Sequence, residues 1–145
     1  MENPLTTKQI QLVQESFALV APIADTAAGL FYQRLFVLDQ RLKTLFRGDM
    51  IEQGKKLMAM IGAAVRGLDD VEKLIPAVQA LGSRHAGYGV APKDYDTVGA
   101  ALLWTLEQGL GAAFTPPVKE AWTAVYGVLA ATMLGASQSG VRAAA

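Results

Sequence analysis

Residues 81–90 read Leu81-Gly82-Ser83-Arg84-His85-Ala86-Gly87-Tyr88-Gly89-Val90, and His85 is the only histidine among 145 residues. Upstream, Leu74, Val78 and Leu81 lead into it at spacings of four, three and four, the repeat of one helix face. His85 therefore continues an apolar stripe, and the pattern aims its imidazole inward. Downstream, Gly87, Gly89 and Pro92 break the helix into a loop. A neutral imidazole is a strong iron ligand, and an unperturbed pKa of about 6.5 leaves it mostly neutral at pH 7. Taken alone, an inward histidine is more often a hydrogen-bonded core residue than a ligand. The rest of the chain has to decide.

Outward from this stretch the apolar residues keep helical spacing. Strand alternation is scarce, and neither Asn-Gly nor Asp-Gly marks a hairpin. The pattern predicts an all-α chain of about seven helical pieces. The first starts near Thr6, with Gln9 completing a capping box, and runs to Val20. Pro22 suits the first turn of the next, which ends near Leu38. A short piece over Asp39 to Phe46 follows, then a loop at Arg47-Gly48-Asp49. The next helix runs from Ile51 to Leu68, and Asp69-Asp70 reads as a stop followed by a cap rather than an acid–base pair. Val71 to Ala86 carries the histidine stripe, with Pro76 expected to kink or restart it. Lys93 to Leu110 ends at Gly111, and Thr115-Pro116 caps a last helix burying Trp122, Val125, Tyr126, Leu129 and Met133. No repeat or linker interrupts residues 1–145, which read as one domain with a core over about 5–136 and a frayed tail at 137–145.

Composition narrows the chemistry. Hydrophobic residues make up 52%, too many for a disordered chain. Thirteen basic residues balance thirteen acidic ones, which argues against nucleic-acid binding. No cysteine is present, so disulfides, iron–sulfur clusters on thiolates and covalent Cys-x-x-Cys-His haem attachment are excluded. The polar stretch Met1 to Gln9 has no signal core, and no apolar run is long enough to span a bilayer. The expectation is a soluble cytoplasmic protein, a monomer or weak homodimer.

The order of helices, the 81–90 segment and the separation of Phe46 from His85 together resemble a globin. The likeness covers about residues 5–136 and is closest to neuroglobin-type and single-domain bacterial globins, above all over Leu110 to Pro116, Ala121-Trp122 and Val125-Tyr126-Gly127. Several separated matches in order are far more specific than one, and they favour His85 as a ligand. The resemblance implies a globin fold of about seven helices sandwiching one haem b, the family's D helix being short or absent. It implies His85 as the proximal iron ligand and Phe46 as the ring on the haem face. It places Gln53 at the distal polar position, Leu57 one turn later in the ligand pocket, and Tyr32 where many bacterial globins carry a distal tyrosine. Val90, Tyr95, Val98, Leu102 and Tyr126 would line the haem, and Lys56 and Arg84 would reach its propionates.

The spacings agree with these roles. Gln53 and Leu57 are four apart and share a helix face. Ala28 and Gly54 are small enough to let two backbones approach and so let Tyr32 lean over the iron. A phenol from Tyr32 and an amide from Gln53 would stabilise the partial negative charge of dioxygen. Hydrogen bonds to charged groups contribute roughly 1.5–3 kcal/mol. Carbon monoxide, being less polar, would gain less.

Two features depart from the family pattern. With one histidine, bis-histidine ligation within a monomer is impossible. The ferric sixth position is then expected to take water, hydroxide or, at high pH, the Tyr32 phenolate. Tyr95 and Tyr126 are available as proximal tyrosines, but the acid that some bacterial globins pair with them aligns with Ser137. Three functions compete: a globin binding oxygen, nitric oxide and carbon monoxide for storage, transport or sensing; a nitric oxide dioxygenase needing a separate reductase, since no G-x-G-x-x-G follows a strand; and a haem-free helical interaction protein.

Overall fold

The computed structural model describes residues 5–46, 48–87 and 91–144, with the side chains of 85–87 and 136–144 outside the described set. The described chain is helical, without a strand. Six α-helices form: α1 Thr7–Val20, α2 Ala24–Leu38, α3 Met50–Gly67, α4 Val71–Gly87, α5 Pro92–Leu110 and α6 Pro116–Ala144. Short 3-10 helices lie at Ala21–Ile23, Gln40–Leu45, Leu68–Asp70 and Gly111–Ala113.

Local chemistry explains the helix ends. Thr6 accepts from the Gln9 N–H at 3.0 Å while the Gln9 side chain accepts from the Thr6 N–H at 3.0 Å, the capping box expected from the sequence. Asp49 takes the Ile51 N–H at 2.8 Å to open α3, and buried Asp94 takes the Ala91 N–H at 2.8 Å to open α5. α5 ends where expected, at Gly111, whose φ of 55° suits a residue without Cβ.

Three sequence expectations need correcting. The third helical piece is a six-residue 3-10 helix, Gln40–Leu45, not an α-helix; so short a segment cannot offset α-helix nucleation. Pro22 sits in the 3-10 turn before α2 rather than in its first turn. α4 does not restart at Pro76, because a proline six residues into the helix removes only the bond to the Glu72 carbonyl. α6 carries its helical backbone through Ala144. The Asp69-Asp70 stop is the 3-10 turn itself: Asp69 accepts from Gln14 Nε2 at 3.0 Å, and Asp70 pairs with Lys73 at 3.8 Å.

α6 lies against α4 and α1, while α2 lies against α5 and α3. Two apolar clusters result. The larger joins Val13, Val20, Val65, Leu106, Trp122 and Val125. The smaller centres on Phe31, Tyr32, Leu35, Leu42 and Ala101, with Phe46, Leu57, Val98 and Leu102 packed on it. α3 and α4, consecutive in sequence, touch each other little: the helices bearing Gln53 and His85 spend their contacts on other neighbours.

Candidate functional site

The site is built at the crossing of α2 and α3. A Cβ placed on Gly54 would lie 2.9 Å from the Cβ of Ala28, so the two helices meet with only one methyl between them. Tyr32 stands one turn beyond Ala28 on α2, and Gln53 immediately precedes Gly54 on α3. The close crossing sets Gln53 beside Tyr32, near enough to act on its phenol.

Tyr32 is 7% exposed. Burial raises its pKa above the ordinary tyrosine value of 10.0, and the Gln53 hydrogen bond offsets part of that rise. Three phenylalanines surround the ring: Phe31 and Phe46 edge-on at centroid distances of 5.1 and 5.2 Å, and Phe36 stacked at 6.0 Å. Such edge-to-face packing fixes a ring's orientation as well as burying it. Phe46 ends the Gln40–Leu45 segment, which buried Leu42 anchors to the cluster.

Of the residues singled out from sequence, Tyr32, Phe46, Leu57, Val98 and Leu102 come together in this one cluster, and Gln53 joins through Tyr32. Val98 and Leu102 are four apart on α5 and share its face. Tyr95 and Tyr126 make a second group. The Tyr126 hydroxyl donates to the Tyr95 carbonyl, and its ring lies so near Gly99 that a Cβ there would sit 2.8 Å from Tyr126 Cε2. Burial pushes the Tyr126 phenol far above its usual range, with lesser contributions from Tyr95 and Asp96. Burial also raises Tyr95, whose hydroxyl is buried with no partner among the described residues. Lys56 and Arg84 are exposed and not part of the cluster. His85 lies in α4, one turn past Gly82, but its side chain is outside the described residues, as are Val90 and the Ser137 side chain.

Sequence reasoning missed Phe36 and Lys43. Phe36 is four residues after Tyr32 and on its face, a signal present in the spacing. The Lys43 ammonium stands 5.8 Å over the Phe36 ring, a cation–π contact that no sequence spacing reveals.

Globin-family similarity covers residues 29–133. The chain is 31% identical over 136 residues to a flavohemoprotein of Bacillus subtilis, covering 90% of this chain and 34% of that protein. It is 31% identical over 143 residues to the neuroglobin of Tetraodon nigroviridis, covering 89% of this chain and 90% of that one. Among solved structures, the flavohemoglobin from Malassezia yamatoensis with bound FAD and heme superposes with a TM-score of 0.76 at 25% identity, over 93% of this chain and 37% of that one. The chain spans about a third of the length of the flavohemoproteins it matches. It belongs to the globin family.

Haem b is the cofactor that membership implies, and the residues present fit it. A flat apolar ring needs an apolar wall, and Phe46, Leu57, Val98 and Leu102 supply one in a single cluster. Tyr32 belongs to the same cluster and brings a hydroxyl to it. The unpartnered Tyr95 hydroxyl is a buried polar atom without its complement. With no cysteine in the chain, thioether attachment of the haem is excluded. No described helix is long and apolar enough to cross a membrane.

Proposed function

We propose that this haem globin binds dioxygen and other diatomic gases at a five-coordinate iron held by His85, with Tyr32 as the principal donor to the bound gas and Gln53 as its support. Haem b would be held by His85 and would supply the iron centre at which a diatomic gas binds. The rest is the work of the chain. Gln53, beside Tyr32 at the helix crossing, would support the phenol. Phe31, Phe36 and Phe46 hold the ring in place. Leu57 and Leu102 keep the surroundings apolar, which strengthens a hydrogen bond to a partly charged ligand.

The observation that carries this reading is the buried Tyr32 ring, held among Phe31, Phe36 and Phe46 beside the Gly54–Ala28 contact. Absorption spectra of the haem-loaded protein, oxidised, reduced and with carbon monoxide, test it. The expected result is a five-coordinate ferrous form that takes carbon monoxide readily and loses its spectrum in His85→Gly. A ferrous form already six-coordinate, or unaltered haem uptake by His85→Gly, would refute it.

The similarity to flavohemoproteins supports a second role, nitric oxide dioxygenation. Nitric oxide, dioxygen and one electron yield nitrate, and the electron would come from a separate reductase. Steady nitric oxide consumption in the presence of such a reductase separates this role from simple gas binding.

A further inference from the structure

α4 and α6 make the most extensive helix pairing in the fold. Within it they touch backbone to backbone at Gly82. A Cβ on this buried glycine would lie 2.4 Å from the Met133 carbonyl oxygen and 2.6 Å from Met133 Cα. Both atoms are main chain, so no rotamer of Met133 relieves the clash. Elsewhere on α6, a Cβ added to Gly127 or Gly135 would meet nothing within 4 Å, so neither of these glycines marks a close approach. Glycine weakens a helix interior, and at Gly82 the direct seating of α4 on α6 offsets that weakness.

His85 follows Gly82 by three residues, about 4.5 Å along the helix axis. We infer that Gly82 is a positioning residue for His85: it lets α4 rest on the α6 main chain and so sets the depth at which the helix presents residue 85. The inference rests on His85 being the iron ligand. Ordinary contact begins near 3.4 Å, so a methyl at position 82 drives α4 from α6 by about 1 Å. The contact involves neither α2 nor α3, so Tyr32 and Gln53 stay where they are. A merely structural glycine would alter stability alone. A positioning glycine alters the iron–imidazole bond and leaves the preference for oxygen over carbon monoxide in place.

The test compares haem-loaded Gly82→Ala and Gly82→Val with Gly135→Ala, His85→Gly and the unaltered protein. The expected result is a shifted iron–imidazole stretching band in resonance Raman spectra and haem loss at least several-fold faster in both Gly82 variants. Gly135→Ala should match the unaltered protein. Amide hydrogen exchange over residues 81–87 should quicken in haem-free Gly82→Ala, with far-ultraviolet helix content retained. An unchanged band and an unchanged haem-loss rate in Gly82→Ala overturn the inference, and alanine alone decides if valine leaves no folded protein. The ligand reading fails separately, through a His85→Gly variant that keeps the band.

Discussion

The indole N–H of Trp122 donates to the Ser16 hydroxyl at 2.8 Å, joining α6 to α1 inside the larger apolar cluster. Ser16 passes its own proton to the Leu12 carbonyl at 2.7 Å, so donor and acceptor are both satisfied. Ser16→Ala leaves a buried N–H without a partner, which costs about 1–3 kcal/mol. The melting temperature should fall by roughly 2–4 °C for each kcal/mol. The double variant Ser16→Ala with Trp122→Phe removes both polar groups and should lose less than the two single losses combined, as thermal denaturation of all three would show.

Tyr32→Phe removes the donor we propose for the bound gas and keeps the ring among Phe31, Phe36 and Phe46. Oxygen release should quicken by about 10- to 100-fold, the equivalent of roughly 1.5–3 kcal/mol. Carbon monoxide release should change much less. Rapid mixing of the oxygenated protein with carbon monoxide reads both, and an unchanged oxygen rate would exclude Tyr32 as the clamp.

Gly54→Val tests the crossing itself. Its added carbons meet Ala28, whose Cβ is already 2.9 Å from the first of them, and overpacking of this kind costs about 1–3 kcal/mol. Because the clash parts α2 from α3, oxygen release should also quicken although Tyr32 and Gln53 are both present. Denaturant titration and release kinetics should therefore change together.

Alkaline stability follows from the tyrosines. Burial raises the pKa of Tyr32, Tyr95 and Tyr126 above the ordinary 10.0. The folded state then holds protons that the unfolded state releases. Their contribution is complete below about pH 10 and is lost as pH climbs from there through the raised folded values. Phenolate absorbance from these residues should appear together with the loss of helical circular dichroism. Smooth titration with the helix signal intact would contradict their burial.

Gly127 and Gly135 are exposed positions on α6 with open space around them. Alanine at either should stabilise the fold by about 0.5–1 kcal/mol through helix propensity, a rise in melting temperature that leaves gas binding untouched.

Where information was local, the sequence could be read directly. Thr6 with Gln9 and Gly111 with its positive φ each act within one turn of chain, and both ends fall where expected. The meeting of α2 and α3 was legible too, because Ala28 and Gly54 are small at positions that bracket Tyr32 and Gln53. Distances between helices were not. Nothing in the letters says that Gly82 rests on the Met133 main chain or that Tyr126 turns its hydroxyl to the Tyr95 carbonyl. Those depend on how far apart two helices settle after every side chain between them has packed. The choice of 3-10 over α at Gln40–Leu45 was hidden for a related reason: apolar spacing over six residues fits both.

The Gly54–Ala28 contact has a consequence for redesign. Of the two positions, only Ala28 could step down in size, and by a single methyl. A chemist wanting a roomier or wetter chamber therefore gains almost nothing from the scaffold behind it. Remodelling has to proceed through the side chains at 32, 53 and 57, and the crossing they sit on can be inherited unaltered from one variant to the next.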